Sequence, residues 1–404
     1  MRKGDCEYMN YIREELVTPI KYQYDVAVVG GGVAGIAAAL AAARQGAKVA
    51  LIEKTYILGG LATAGIVTTY LPLDDGFGHQ VSFGIAEELL KVSIKYGYEK
   101  EYPAAWLENG TDEEKHAQRF RVRFNAQLFA ISSEELLKEA GVTIYYGTSV
   151  CATTKENDKI SALILENKSG RSAMKIKTVV DATGDADICA MAGEDTALFG
   201  QKNVLAAWYY YVDSNGYYRK MLGAADISEE EKKRGKKEVK LLIDKRFQGV
   251  DGDELSEFAM LSHEAVKKDI MQQRQIDTGY MPVTIPTIPQ VRMTRRIAGS
   301  YTIDVIDEGK EFYDSIGMIC NWRKRGPIYQ IPYRCLYGKR VKNLITAGRC
   351  ISASDSMWDI TRVIPACAVT GQAAGTAATM TDNFMELDIE HLQKRLIQND
   401  VQIH

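Results

Sequence analysis

The first clear hydrophobic pattern lies between residues 24 and 53. A short apolar, β-branched run, Tyr24–Val29, is followed by glycines and then by the alanine-rich stretch Ile36–Gln45. A second apolar run, Lys48–Ile52, comes directly after this stretch. Short apolar runs without polar alternation are typical of parallel strands buried on both faces. The pattern therefore predicts a strand–helix–strand unit of a parallel sheet.

Further along the chain, predicted helices alternate with groups of strands. Apolar residues at helical spacing predict a helix over Ser82–Tyr96, and Asn125 is placed to cap a helix that runs to Gly141. Strand-like runs separated by turn residues then predict an antiparallel meander. These runs are Val142–Tyr146, Ser149–Thr154, Ile160–Leu165 and Met174–Val180.

The central and C-terminal parts of the chain predict further strands and helices. An aromatic run, Trp208–Tyr211, predicts a strand, and Ser228–Lys240 predicts a charged, solvent-facing helix with a capping box. In the last third, Asn343–Ala347 predicts a strand. A loop and a long helix of small residues, from Pro365 to about Thr381, are expected to follow it.

Composition and charge limit the function classes. The 404 residues are 46% hydrophobic and 25% charged, as in an ordinary globular protein with a large core. The net charge of -3 leaves no basic field for a phosphate backbone, so no nucleic-acid partner is expected. The longest apolar run, Ile36–Ala43, is far below the ~20 residues of a bilayer span. With a charged N-terminus as well, a cytoplasmic location without a membrane partner is expected.

Cysteines and histidines exclude several kinds of site. The seven cysteines are dispersed and none forms a C-x-x-C pair, which favours free thiols over disulfides, an iron–sulfur cluster or a redox pair. The five histidines show no ligand-like spacing, so no metal site is expected.

The strand–helix–strand unit carries a dinucleotide-binding motif, Gly30-x-Gly32-x-x-Gly35. The first glycine allows a tight turn, the second lets backbone amides approach a pyrophosphate, and the third lets helix and strand pack closely. Glu53 ends the second strand and can accept hydrogen bonds from both ribose hydroxyls of an adenosine. Because this carboxylate, followed by Lys54, repels a 2′-phosphate, the site is predicted to bind FAD or NAD rather than NADP.

Four further segments carry a family resemblance. Gly59–Gly65 resembles the segment that lies along the FAD pyrophosphate in two-dinucleotide-binding-domain flavoproteins, and Asp181–Asp185 resembles their Ala-Thr-Gly-Asp segment. Asn343–Cys350 resembles their late Ala-Gly-Arg segment. Arg362–Pro365, followed by Gly371–Gly375, is especially similar to the bacterial FAD-dependent oxidoreductase family, the FAD_oxidored group. The resemblance implies an FAD cofactor and a flavin-dependent enzyme.

The resemblance also implies the architecture and the cofactor contacts. The expected fold is α/β, with a Rossmann-like FAD-binding lobe of parallel sheet and β-meander and an inserted α+β substrate lobe. The FAD lobe is assigned to 22–70, 120–195 and 331–404, and the substrate lobe to 71–119 and 196–330. The residues expected to contact FAD are Gly30, Gly32, Val33, Ala34, Gly35, Glu53, Lys54, Gly60, Leu61, Ala62, Thr63, Val150, Ala182, Thr183, Gly184, Asp185, Gly348, Arg349, Arg362, Val363 and Ala366.

The candidate catalytic residues are Asp359 and Arg362. They lie between the Ala-Gly-Arg segment and the helix that starts near Pro365, whose N-terminus is expected to face the flavin pyrimidine and stabilise negative charge there. Asp359 could orient or deprotonate a substrate, and Arg362 could stabilise an anionic flavin or a substrate carboxylate. The alternative is a structural ion pair that holds a loop in place.

Other candidates are weaker. His79, in a glycine-rich loop, is either near the substrate face of the flavin or an ordinary loop histidine. Arg292, Arg295 and Arg296 form either a substrate-carboxylate clamp or, more simply, surface and FAD-lobe contacts. Cys350 is placed to line the flavin pocket.

The leading function is transfer of a hydride between the flavin and a small organic substrate, with an unknown electron partner. The chain has neither a second glycine motif for NAD(P)H nor the C-x-x-x-x-C pair of disulfide reductases, and the His-Pro-Thr-Gly stretch of fumarate-reductase-like relatives is missing. Two alternatives stay open. One is a flavin-dependent tRNA-modifying enzyme, supported only by a basic patch at 232–240. The other is a non-redox, thiazole-forming enzyme, whose active-site cysteine has no counterpart in this chain.

Overall fold

The computed structural model describes residues 12–97, 102–223 and 241–404. The charged helix predicted over Ser228–Lys240, the basic patch within it and Cys6 lie outside the described residues.

The described residues form strands and helices along the whole chain. The strands are β1 (Ile20–Val29), β2 (Val49–Ile52), β3 (Thr69–Tyr70), β4 (Val122–Arg123), β5 (Thr143–Tyr145), β6 (Ser149–Glu156), β7 (Lys159–Asn167), β8 (Gly170–Asp181), β9 (Thr196–Leu198), β10 (Ala207–Asp213), β11 (Gly216–Leu222), β12 (Met281–Thr284), β13 (Arg295–Ile297), β14 (Ser315–Cys320), β15 (Ile328–Pro332) and β16 (Leu344–Thr346). The helices are α1 (Val33–Arg44), α2 (Ile85–Ser93), α3 (Ala104–Leu107), α4 (Asp112–Ala117), α5 (Ala126–Glu139), α6 (Asp187–Ala192), α7 (Gly252–Gln273), α8 (Asp355–Thr361), α9 (Ile364–Ala378) and α10 (Ile389–Ile397).

A seven-stranded sheet dominates the fold. Its strands run in the order β5-β2-β1-β8-β7-β6, and β16 also pairs with β8. The pairs of β1 with β2 and β8, of β2 with β5 and of β8 with β16 are parallel. The predicted α/β fold with a mainly parallel sheet is confirmed, and so is the strand–helix–strand unit β1–α1–β2.

The meander is smaller than the sequence predicts. Strands β6, β7 and β8 pair antiparallel, as expected. The Val142–Tyr146 run was wrongly included, since β5 pairs in parallel with β2. The physical reason is α5, which carries the chain back across the sheet so that the next strand points the same way. Asn125 caps α5 as predicted, accepting hydrogen bonds from the amides of Gln127 and Leu128.

Helices α1 and α9 pack against each other at the centre of the molecule, and α9 is almost entirely buried. The two helices are so close that a Cβ on Gly371 would overlap the carbonyl oxygen of Ala34. A Cβ on Gly375 would overlap that of Ala38. The small residues of α9 allow this close packing.

Smaller sheets complete the fold: β11-β10-β12, β9-β13, β14-β15 and β3-β4. The aromatic strand predicted over Trp208–Tyr211 is β10, and α7 packs on it. Helix α2, assigned from the sequence to the substrate lobe, packs against α9 and α5 in the main core. The division into lobes stays a prediction.

The segment between β16 and α9 differs from its expected conformation. Residues 354–362 were predicted to form a loop, but α8 occupies most of them. The Ser354 hydroxyl accepts a hydrogen bond from the Met357 amide at 3.2 Å, a cap that starts the helix. Of the helices described, none has the length and apolar character that crossing a bilayer requires.

Candidate cofactor and substrate site

The carboxyl ends of four parallel strands meet at one edge of the large sheet. Gly30 follows β1, Glu53 follows β2, Ala182 follows β8 and Gly348 lies two residues after β16. Open α/β sheets bind ligands at this edge. Sequence motifs that are far apart along the chain are therefore brought together here.

The three glycines of the first motif, Gly30, Gly32 and Gly35, differ in how closely the protein packs around them. Gly30 has φ +101°, and a Cβ there would contact the backbone of Ala182 and Thr183. A Cβ on Gly35 would overlap the carbonyl oxygen of Gly30. Gly32 has ordinary angles, φ -68° and ψ 179°, and a Cβ there would meet no described atom within 4 Å. Protein packing thus explains two of the glycines but not Gly32.

The second glycine loop lies against the first. The Gly59 amide donates to the Gly31 carbonyl at 2.8 Å, and a Cβ on Gly60 would lie 3.2 Å from the Cα of Gly32. Gly60, Leu61 and Ala62 form a 3₁₀ turn, and the Thr63 hydroxyl after it donates to the Leu58 carbonyl. The two loops form one continuous glycine-lined wall.

Glu53 is held firmly beside this wall and is 7% exposed. Its Oε2 accepts from the Gly31 amide at 2.7 Å, while Oε1 accepts from the amide and hydroxyl of Thr55 at 2.7 and 2.8 Å. A carboxylate oxygen has two acceptor positions. One position, on Oε2, therefore remains for a ligand hydroxyl. Lys54 is exposed.

The ends of β8 and β16 are joined by charged side chains. Arg349 donates through Nη2 to Asp185 at 3.0 Å and through Nη1 to the carbonyls of Val291 and Arg292 at 2.7 and 3.0 Å. The Thr294 hydroxyl also donates to Asp185, at 2.6 Å. These bonds attach the 291–294 segment to the sheet edge.

The remaining predicted contact residues surround the same edge. Val33 and Ala34 begin α1, and Val363 and Ala366 stand at the start of α9. Neither helix has a side-chain cap among the described residues, so both present N-terminal amides that are free to bind an anion. Val150 is half-buried in β6. Thr183 and Gly184 lie in the loop after β8.

Asp359 and Arg362 line one pocket beside this edge. The other residues that line it are Phe199, Gln201, Lys202, Asn203, Val204, Ala206, Gln290, Arg292 and Met293. Its 290–293 wall is fixed to the second glycine loop, because Gln290 Nε2 donates to the Gly65 carbonyl at 2.7 Å. The pocket wall is therefore attached to the second glycine loop and to Arg349.

Asp359 is shared between two arginines. One oxygen pairs with Arg362 and the other with Nε of Arg323 at 2.5 Å. Burial opposes the charged form of Asp359, but the two guanidinium groups outweigh it and lower the pKa of the carboxyl. Asp359 is thus ionised at neutral pH, and each of its oxygens is paired with a guanidinium group. Arg323 was not predicted from the sequence, since no motif links it to Asp359, 36 positions away.

Three other candidate residues, His79, Cys350 and Arg295, are not among the residues that line this pocket. His79 is exposed, pairs with Asp75 at 2.8 Å and is not among the residues lining the pocket; hydrogen bonding to Asp75 raises its pKa. Cys350 is buried, and its Sγ accepts from the amides of Gly184 and Ala186. Arg295 pairs with Asp187 at 2.7 Å. The described cysteines are all free, and no group of possible metal ligands occurs among the residues described.

The family model described as FAD dependent oxidoreductase matches residues 25–207 and 201–396, nearly the whole chain. The chain belongs to the FAD-dependent oxidoreductase family. The family resemblance, the enzyme class and the FAD cofactor expected from the sequence are confirmed. The glycine-lined wall, the buried Glu53 and the two uncapped helix N-termini are the parts that such a dinucleotide requires.

Individual relatives are more distant. A thioredoxin reductase of Ureaplasma parvum serovar 3 is 33% identical over 76 residues, 19% of this chain and 25% of that protein. A digeranylgeranylglycerophospholipid reductase of Thermoplasma acidophilum is 25% identical over 188 residues, 46% of each chain. The chain thus spans less than half the length of these curated relatives.

Solved structures with a similar chain path include a geranylgeranyl bacteriochlorophyll reductase-like protein from Thermoplasma acidophilum. Its TM-score is 0.46 with 13% identity, covering 94% of this chain and 82% of that one. The p-nitrophenol 4-monooxygenase PnpA from Pseudomonas putida also has a TM-score of 0.46, with 12% identity, covering 93% and 84%.

Proposed function

We propose that this protein binds FAD along the glycine-lined wall and transfers a hydride between the flavin and a small organic substrate in the adjacent pocket. The observation that carries the proposal is Gly32, a glycine with ordinary backbone angles and no protein neighbour that requires it. Its missing side chain is explained by the close approach of a ligand to the backbone. FAD, when bound, supplies the hydride-accepting chemistry that side chains lack.

The chain's own residues divide the binding between them. The amides of the first glycine loop and of the α1 N-terminus bind the pyrophosphate, and Oε2 of Glu53 accepts from a ribose hydroxyl. Gly60–Thr63, Val150, the Ala182–Asp185 loop and the Gly348–Arg349 turn complete the proposed contacts. Val363 and Ala366, at the uncapped N-terminus of α9, would stabilise negative charge on the bound flavin through the helix dipole.

Arg362 and Asp359 have separate roles in the proposed reaction. Arg362 supplies a positive charge at the start of α9, which stabilises negative charge gained on reduction. Asp359 is a positioning residue: held by two guanidinium groups and ionised, it orients Arg362 instead of removing a proton.

The proposed function predicts a yellow protein with one non-covalent FAD per chain. The expected result is bleaching of the flavin absorbance, under anaerobic conditions, by at least one member of a panel of hydroxy acids, amines, sugars and alcohols. Stopped-flow absorbance measures the rate. A protein that takes up no FAD on reconstitution, or whose flavin no panel compound reduces and no substrate reoxidises, would contradict the proposal.

Arg362→Gln is expected to lower the midpoint potential of the bound flavin, and Asp359→Asn is expected to raise it. Each variant removes one charge of opposite sign. Charges several ångströms apart at a protein surface interact by about 1–3 kcal/mol, or about 20–60 mV for a two-electron couple. Dye-coupled redox titration measures the shift. Equal shifts of the same sign, or none in either variant, would assign the pair a purely structural role.

A further inference from the structure

Arg292 is a buried cation that has no ion-pair partner among the described residues. The residue is 7% exposed, and its guanidinium lies over the Trp208 ring, 4.6 Å from the centroid. Within the described chain, no carboxylate or carbonyl accepts a hydrogen bond from this guanidinium. Fully buried arginines are almost always paired, because desolvating an unpaired charge is costly.

The surroundings of Arg292 increase this deficit of negative charge. Burial first, and then the positive charges of Arg362, Arg349 and Arg219, lower the pKa of Arg292 to about 9. Asp359 opposes the effect, but its carboxylate is already shared with two other guanidinium groups. The charged form that arginine keeps at neutral pH is therefore incompletely compensated by the protein.

The uncompensated charge faces the pocket. Arg292 and Arg362 both line it, together with Lys202, while Asp359 is the carboxylate among the lining residues described. The Nε of Arg362 is buried and has no acceptor in the part of the chain that is described. The carbonyl of Arg292 accepts from Arg349, so this wall lies next to the cofactor edge. An anion in the pocket would meet unused guanidinium donors and an excess of positive charge.

We propose that the substrate is an organic carboxylate whose carboxylate group binds Arg292. The proposal rests on the proposed function, since it names the substrate class for the same pocket. A guanidinium presents two parallel donors that match a planar carboxylate, and a cation–π contact with the Trp208 ring supports the guanidinium of Arg292. Of the three arginines singled out by the sequence, Arg292 alone lines this pocket among the residues described, whereas Arg295 pairs with Asp187.

The test measures binding of carboxylates to the holoenzyme at constant ionic strength set by chloride. The probes are mono- and dicarboxylates from acetate and pyruvate to succinate and benzoate, each beside its neutral amide. Isothermal titration calorimetry gives affinity, and the flavin absorbance spectrum reports binding next to the ring. The variants are Arg292→Gln and Arg292→Lys. Arg340→Gln, which removes a cation from the surface pair with Asp195, is the matched control.

The expected result is that at least one carboxylate binds more than tenfold tighter than its amide. A hydrogen-bonded charge pair of this kind predicts that Arg292→Gln weakens the binding roughly ten- to hundredfold. The carboxylate affinity of Arg292→Lys is expected to lie between those of the wild type and Arg292→Gln, because an ammonium keeps the charge and loses the paired donors. The control variant is expected to match the wild type.

Three results would overturn the inference. Carboxylates and amides that bind equally, or a full series with no binding, would exclude a carboxylate site. Arg292→Gln with unchanged carboxylate affinity but weaker FAD binding or a shifted flavin potential would show that the cofactor is the anion that Arg292 meets. Calorimetry on the apoprotein distinguishes failure of this inference from failure of the proposed function. If the protein takes up no FAD but still binds carboxylates, the proposed function is refuted and the carboxylate site is not.

Discussion

Replacing Gly32 with valine is expected to weaken FAD binding strongly while the apoprotein stays folded. The glycine has backbone angles that any residue adopts, and a Cβ would meet no described atom within 4 Å. A side chain there would instead occupy the space through which a pyrophosphate reaches the loop amides. The expected loss of affinity is on the order of 100-fold or more, about 2.7 kcal/mol, with a smaller loss for Gly32→Ala.

The measurement pairs two titrations on the same preparation. Quenching of FAD fluorescence gives the affinity, and urea unfolding of the apoprotein gives the free energy of unfolding. Gly252→Ala is the matched control, because a Cβ at this exposed first residue of α7 would also meet no described atom within 4 Å. It is expected to bind FAD normally. If Gly32→Val bound FAD like the wild type, the cofactor would not approach this loop.

Gly375→Ala is expected to destabilise the protein by about 3 kcal/mol. The new methyl group would overlap the carbonyl oxygen of Ala38, and this neighbour is backbone, so α9 and α1 must move apart. Overpacking of a buried core costs typically 1–3 kcal/mol, and more when a helix has to shift. Since α1 begins at the glycine wall, FAD affinity is expected to fall as well.

The sign of this change is diagnostic. Alanine is intrinsically favoured over glycine in helices by about 1 kcal/mol, so a helix without tight packing would become more stable. Urea unfolding of the apoprotein, compared with Gly252→Ala, separates the two effects. An unchanged or higher unfolding midpoint for Gly375→Ala would show that the two helices do not depend on this close contact.

Local chemistry made the β1–α1–β2 unit and its neighbouring segments predictable. Five features follow one another directly along the chain: β1, the glycine loop, α1, β2 and Glu53. Each has a short-range physical cause. Gly30 needs a positive φ, which favours glycine, and Asn125 caps a helix through its own neighbouring amides. Family, cofactor and fold class followed from these segments.

Other parts of the chain were much less predictable from the sequence. Helix α7 was not anticipated, and the helix between residues 355 and 361 was expected to be a loop. Their stability comes from packing against β10 and the core, and helices in proteins owe most of their stability to such contacts. Parallel pairing of β5 with β2 depends in the same way on where α5 returns the chain.

By itself, the sequence predicted that a dinucleotide binds the β1–α1–β2 unit, because the glycine motif and Glu53 lie in one continuous stretch between residues 30 and 53. Only the tertiary structure decided which charges meet in the pocket. Arg323 reaches Asp359 and Arg292 lies near Arg362 through long-range packing, and neither pairing leaves a periodic or spaced signal in the chain. Coulomb energies depend on the distances between charges and on their burial. The net charge of a site can therefore be determined only once the positions of its side chains in the fold are known.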